Sequence, residues 1–196
     1  MYEKVNITEN HLQVLSLFTF GFYREFYIRE VQKLLKISPR TAQLILDDFE
    51  KKTVLESETK GKIRTYKIKK SETAKDYLVF AEDYKKISFL KKRPMIREIV
   101  TKITPSIKGI GLIFGSYAKG LEKKGSDLDV FIIGECDRSK IRKFSDLYGI
   151  EISVKVYPTK IFEKVLKNDI LIKEVLSNHI VFLGAEPLVK TVLKNG

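Results

Sequence analysis

The segment from Gly111 to Ile133 places two apolar runs around a glycine-serine turn and a pair of aspartates. Each run has the length of a buried strand, and the first run ends at Gly115-Ser116. Asp127 and Asp129 stand one residue apart at the start of the second run. Residues i and i+2 of a strand point to the same face, so the two carboxylates repel each other unless a cation lies between them. The segment therefore predicts a phosphate-binding turn beside a magnesium site.

The chain around this segment alternates between strand and helix patterns. We expect strands over 109–114, 128–133 and 150–156, a helix from Ser116, and a second helix over 138–147. Two further helices precede a short strand from His179 to Leu183. This alternation is typical of a small α/β domain with a mixed sheet.

The motifs GSYAKG and GSDLDVFII resemble the signature of the minimal nucleotidyltransferases of the DNA polymerase beta superfamily. The resemblance implies transfer of a nucleoside monophosphate from an NTP, expected to be ATP, to an acceptor hydroxyl, with release of pyrophosphate. Gly115 allows close approach of a phosphate, and Ser116 and Lys119 are placed to bind the triphosphate. Ser126 is expected either to contact a phosphate or to stabilise the turn itself.

The candidate metal ligands are Asp127, Asp129 and a third carboxylate, Glu151. Two magnesium ions are expected, and two-metal phosphoryl chemistry needs a third carboxylate as metal ligand or proton acceptor. The superfamily places this group on the next strand between apolar residues, as Glu151 lies between Ile150 and Ile152. The alternative is that Glu151 is a solvated glutamate at the start of a strand.

The N-terminal part has the pattern of three helices and a basic hairpin. Thr8 is a candidate N-cap of the first helix, and Ser38-Pro39 is a typical start of the third. Two alternating runs then surround Lys60-Gly61, which predicts a two-stranded hairpin. The segment FYIREVQKLLKISPRTAQLILDDFEKK resembles winged helix-turn-helix regulators, whose third helix enters the DNA major groove and whose wing contacts phosphate.

The candidate DNA contacts lie at the start of the third helix and on the wing. They are Arg40, Thr41, Gln43, Lys60, Lys62 and Arg64. The same helix carries Asp47, Asp48 and Glu50, which repel phosphate, and winged helices also serve as dimerisation or protein-docking modules. Binding of double-stranded DNA and binding of a protein partner therefore both remain open.

A net charge of +12 favours polyanionic partners such as nucleic acid or nucleotide phosphates, and is also compatible with a solvated surface. The single cysteine, Cys136, excludes an intramolecular disulfide and indicates a reducing cytoplasm. No apolar run has the length of a membrane span, and no signal-peptide pattern is expected at the N-terminus.

The predicted organisation is α+β with two domains: a winged helix-turn-helix over 1–70, a linker helix over 71–92, and a nucleotidyltransferase domain with a mixed sheet over 93–196. The helix over 71–90 is a candidate homodimer interface. The rival interpretation is a DNA-binding regulator or an antitoxin-like protein that binds nucleotide without turnover. The acceptor remains open among a small molecule, a protein hydroxyl and a nucleic-acid end.

Overall fold

A computed structural model describes residues 5–195 and divides them into two units, with the boundary between Ala81 and Glu82. The boundary lies inside helix α4, within the segment predicted as a linker. The elements of the N-terminal unit are α1 (Glu9–Thr19), β1 (Phe26–Tyr27), α2 (Ile28–Leu35), α3 (Pro39–Lys51), β2 (Leu55–Lys60), β3 (Ile63–Ile68) and the first part of α4 (Glu72–Lys91).

The helices of the N-terminal unit follow the local signals in the sequence. Thr8 is the N-cap residue of α1, as predicted. The hydroxyl oxygen of Ser38 accepts a hydrogen bond from the N–H of Thr41 at 3.0 Å, and Pro39 is the first residue of α3. The core is formed by apolar residues spaced three or four apart on α1 and α3. These residues are Val14, Leu15, Phe18, Ala42, Ile45, Leu46 and Phe49.

The predicted hairpin is present, and β3 lies in the middle of a three-stranded antiparallel sheet of order β1-β3-β2. Gly61 has a φ of +63° at the turn, a conformation that favours glycine. In the register of the hairpin, Lys60 pairs with Ile63 and Leu55 with Ile68. The order of helices and strands is the one that the resemblance to winged helices implies.

The C-terminal unit has the predicted mixed sheet, with helices between its strands. Its elements are the rest of α4, α5 (Pro94–Ile103), a 3₁₀ turn (Thr104–Ser106), β4 (Ile107–Ile113), α6 (Gly115–Lys119), β5 (Leu128–Cys136), α7 (Arg138–Tyr148), β6 (Ile152–Tyr157), α8 (Thr159–Val165), α9 (Ile170–Ser177), β7 (Ile180–Leu183) and α10 (Ala185–Asn195). Helix α10 is an additional element that the sequence pattern does not predict.

The four strands have the order β6-β5-β4-β7, with β5 and β6 parallel and the other pairs antiparallel. Helix α7 connects the parallel pair and therefore runs back across the sheet, antiparallel to both strands. Strand β6 begins at Ile152, so Glu151 precedes the strand instead of opening it. Strand β4 lies between β5 and β7. The turn at Gly115, which follows β4, therefore lies in the middle of one end of the sheet.

A buried charged cluster lies in the C-terminal unit, formed by Glu82, Lys85 and His179. The Lys85 ammonium lies 2.9 Å from Oε2 of Glu82, and His179 Nε2 lies 3.1 Å from Oε1 of the same carboxylate. His179 Nδ1 donates to the carbonyl of Leu176 at 2.9 Å. Burial disfavours the ionised form of Glu82, but its interactions with the Lys85 ammonium and with His179 overcome this effect and lower the pKa of Glu82 to about 2.

Burial and the Lys85 charge lower the pKa of His179, so this histidine is neutral near pH 7. Burial also lowers the pKa of Lys85, against the attraction of the Glu82 carboxylate. His179 immediately precedes β7. Among residues 5–195, no helix has the length and apolar character needed to cross a bilayer.

Candidate functional site

Gly115 lies where the end of β4 turns against the side chain of Asp129. Its φ is +68°, and a β-carbon at this position would lie 2.1 Å from Oδ2 of Asp129. The N–H of Phe114 donates to the carbonyl of Asp129 at 3.0 Å, which fixes the two strands side by side at this point. The turn therefore requires glycine for two reasons, its backbone conformation and the lack of space for a side chain.

Asp129 is the second residue of β5, and Asp127 immediately precedes this strand. Asp127 is exposed and Asp129 is half-buried. Burial, and next the negative charge of Asp127, raise the pKa of Asp129. When a neighbouring carboxylate raises the pKa of an aspartate, a cation bound between the two groups relieves their repulsion.

The predicted third carboxylate is not part of a three-carboxylate cluster. Leu128 pairs with Ile152 in the parallel register, so Glu151 lies beside Asp127 and Ser153 lies opposite Asp129. Within the part of the chain that the structure describes, no three or more His, Cys, Asp or Glu side chains form a group that could hold a metal ion. The residue at the level of Asp129 on β6 is Ser153, and the assignment of Glu151 as the third carboxylate stays a prediction.

A glutamate that sequence analysis did not identify lies near the site. Lys119, at the end of α6, donates to Oε1 of Glu174 on α9 at 3.2 Å. Burial and Asp127 have the largest effects on the pKa of Asp129; beyond these, the charges of Lys155 and Lys119 lower it and that of Glu174 raises it. The strand register explains the effect of Lys155 on the pKa of Asp129. Lys155 lies two residues beyond Ser153, which is opposite Asp129, and on the same face of β6.

The turn between α6 and β5 is held by contacts of its own. The hydroxyl oxygen of Ser126 accepts a hydrogen bond from the N–H of Lys123 at 2.8 Å, which is the turn role considered for this serine. Arg93 donates through Nε to Oε1 of Glu122 at 2.7 Å, and its guanidinium lies 4.3 Å from the centre of the Phe89 ring. Arg93 is thus a positioning residue for this turn.

The candidate DNA contacts on α3 differ in how accessible they are. Arg40 is exposed, whereas Thr41 and Gln43 are half-buried. The hydroxyl of Thr41 lies 2.8 Å from that of Ser38, so it takes part in the helix cap. Leu44 is 53% exposed on the same helix, which adds an apolar side chain to a surface expected to contact phosphates.

Two of the three candidate cations on the wing are paired with acidic side chains of the same unit. Lys60 donates to Oε2 of Glu25 at 2.7 Å. Arg64 donates to Glu50 and lies 3.5 Å from Oδ1 of Asp47, so it neutralises the acidic residues of α3. Lys62 forms no ion pair with any side chain of residues 5–195 and is exposed.

These observations define a class of domain, an α/β unit with a glycine turn apposed to an aspartate pair on the neighbouring strand. Residues 94–182 match the family model of the nucleotidyltransferase domain. This range contains the turn, both aspartates, Lys119 and Glu174, so the candidate site lies within the part of the C-terminal unit that is similar to this domain.

No curated protein matches the chain in sequence. Among solved structures, TrmBL2, an archaeal chromatin protein described as showing a novel mode of DNA binding, aligns with 14% sequence identity and a TM-score of 0.29. That alignment covers 85% of this chain and 68% of the other. At this TM-score, the similarity carries no conclusion about the present chain.

Proposed function

We propose that the C-terminal unit transfers a nucleoside monophosphate from an NTP, expected to be ATP, to an acceptor hydroxyl and releases pyrophosphate. The observation that carries this proposal is the close approach of the Gly115 turn to Asp129, where a β-carbon would lie 2.1 Å from the carboxylate. The approach places the backbone of the glycine turn directly beside the Asp129 carboxylate. The match of residues 94–182 to the nucleotidyltransferase domain supports it.

The residues around the turn fit a nucleotide bound with a divalent cation. Asp127 and Asp129 supply oxygen ligands of the type that Mg²⁺ prefers. Burial and, next, the charge of Asp127 raise the pKa of Asp129, and a cation between the two carboxylates would offset both effects. When bound, the cation neutralises negative charge on the triphosphate and on the leaving pyrophosphate. Ser116 and Lys119 contact the phosphates in this proposal; α6 has five residues, so the charge of Lys119 matters more than the helix dipole.

In the transfer step, the acceptor hydroxyl oxygen forms a bond to the α-phosphorus, and the bond between that phosphorus and the β-phosphate oxygen breaks. The hydroxyl proton passes to a base, and pyrophosphate carries away the bonding electron pair. Glu151 is exposed beside Asp127 at the start of β6. We assign Glu151 to proton acceptance and Asp127 and Asp129 to the metal.

The proposal is tested by incubating the full chain with Mg²⁺ and each labelled NTP, with and without cell extract, and measuring pyrophosphate release and labelled product. We expect transfer by the wild type and its loss in Asp127→Asn and Asp129→Asn. Asp76→Asn is the control, since Asp76 is an exposed carboxylate on α4. The proposal would be refuted if the protein showed no nucleotide binding and no pyrophosphate release with any NTP.

A second candidate function is nucleotide binding without turnover, in a regulator or antitoxin-like protein. The observation that favours it is Ser153 opposite Asp129, where a carboxylate would complete a metal site. This alternative predicts NTP binding that depends on Asp129, with no pyrophosphate release from the wild type. For the N-terminal unit we propose duplex DNA binding through Arg40, Gln43 and Lys62, which a salt-dependent retention assay tests.

A further inference from the structure

The outer edge of β6 is an unpaired strand edge beside an open groove. In the sheet order, β5 is the neighbour of β6 on one side, and no strand of the described residues lies on the other. The groove, of about 590 Å³, lies between this strand and α7. Its apolar lining includes Ile141, Ile152 and Val154. Six-residue strands with a free edge readily pair with another chain unless something blocks them.

The register fixes which backbone groups of β6 point outward. The N–H of Leu128 donates to the carbonyl of Glu151, so residues 151, 153 and 155 direct their backbone groups toward β5. Ile152, Val154 and Val156 direct theirs toward the free edge. The N–H of Ile152 is already bonded to the hydroxyl of Ser145 at 3.2 Å. Val154 is the middle one of the three outward-facing residues, and pairing at Ile152 requires its N–H to leave the Ser145 hydroxyl.

The charges along this edge are arranged with opposite signs at its two ends. Arg138 and Arg142 line the groove on the N-terminal half of α7, and Asp146 and Glu151 line it near the start of β6. Because α7 and β6 run in opposite directions, the basic end of the groove lies toward the end of β6 and the acidic end toward its start. When a second copy is rotated by 180°, the basic end of one groove lies beside the acidic end of the other.

We propose that β6 pairs antiparallel with β6 of a second copy of this chain, about a twofold axis at Val154, to form a continuous eight-stranded sheet. In this register Val154 faces its own counterpart and Ile152 faces Val156, so the apolar positions meet. Lys155 lies opposite Ser153 and diagonal to Glu151 of the other copy. The basic half of α7 lies beside the acidic end of its counterpart. No like charges are placed directly opposite one another in the strand pair.

This interface includes Glu151, the proton acceptor assigned in the proposed function, but its test requires no turnover; it differs from a dimer formed through α4. The test is the mass of the full chain by light scattering over a range of concentrations. We expect twice the monomer mass of 22.7 kDa for the wild type. Val154→Pro removes an outward N–H without removing a bond to β5, and is expected to yield monomers with the unfolding temperature little changed.

A charge-exchange series decides the result even if the proline variant unfolds, because its positions are exposed on α7. Arg142→Glu and Asp146→Arg, each alone, are expected to weaken the dimer about tenfold or more, since each reversal acts twice across the axis. The double exchange is expected to restore it. A wild type that stays monomeric, or a dimer that all of these variants leave intact, would overturn the proposal.

Discussion

Replacement of Gly115 by alanine tests the central contact of the candidate site. The added β-carbon would lie 2.1 Å from Oδ2 and 2.9 Å from Cγ of Asp129. Gly120 offers a matched control at the other end of α6, because its φ of +66° is nearly the same and a β-carbon there would meet no atom within 4 Å. Both substitutions place alanine in the left-handed region, but only Gly115→Ala brings a β-carbon against the Asp129 carboxylate.

The expected magnitudes separate the two effects. The left-handed conformation costs an alanine roughly 1–2 kcal/mol at either position, which lowers the unfolding temperature by ~2–8 °C. At Gly115, the carboxylate oxygen must also retreat by about 1 Å to reach a normal contact distance. A displacement of that size at a reacting centre costs about a hundredfold in rate.

The assay combines thermal unfolding with calorimetric titration of Mn²⁺ and ATP, and with pyrophosphate release where turnover is seen. We expect similar loss of stability in Gly115→Ala and Gly120→Ala, and loss of metal–nucleotide binding in Gly115→Ala alone. Binding of Mn²⁺ and ATP by Gly115→Ala as tightly as by the wild type would show that the contact between residue 115 and Asp129 does not control binding. Equal impairment of binding in Gly120→Ala would show the same, because that substitution does not touch Asp129.

Three further outcomes are expected from contacts elsewhere in the chain. Glu174→Gln frees Lys119 from a competing carboxylate and should raise nucleotide affinity by up to about fivefold, which corresponds to the free energy of an exposed ion pair. A decrease in nucleotide affinity, measured by titration, would contradict this. The pKa of His179 is lowered by burial, so below pH 6.5 the unfolded chain gains a proton that the folded chain does not, and stability falls with pH by up to about 1.4 kcal/mol per unit. Unfolding curves from pH 8 to 5 test this, and His179→Gln should flatten them. On the wing, Lys62→Met should weaken salt-dependent DNA retention, whereas Arg64→Met should mainly destabilise the unit, as unfolding curves beside binding isotherms would show.

The sequence predicted those features that depend on local pattern. Strand and helix periodicity placed β4, β5 and α7 within a few residues, and Ser38-Pro39 marked the start of α3 because capping is a local interaction. The Gly115 turn and the aspartate pair were found because each lies beside an apolar run. Such signals need no knowledge of distant parts of the chain.

The parts that could not be predicted depend on packing between distant segments. Glu174 is far from Lys119 in sequence, and nothing local indicates that α9 brings them together. The assignment of Glu151 depended on where β6 begins, and a small displacement along a strand changes which side chain lies opposite Asp129. Arg64 was expected to contact phosphate, but the fold of the N-terminal unit places it against Glu50.

The buried cluster of Glu82, Lys85 and His179 determines where this protein can be cut. A fragment limited to residues 94–182, the extent of the family match, keeps His179 but omits both of its charged neighbours on α4. It also omits α10, whose Leu188, Val189 and Val192 are buried. Any shortened version intended to retain the fold of the C-terminal unit should therefore begin before Glu82 and continue through residue 195. Part of α4 thus belongs to the second unit and is needed for its packing.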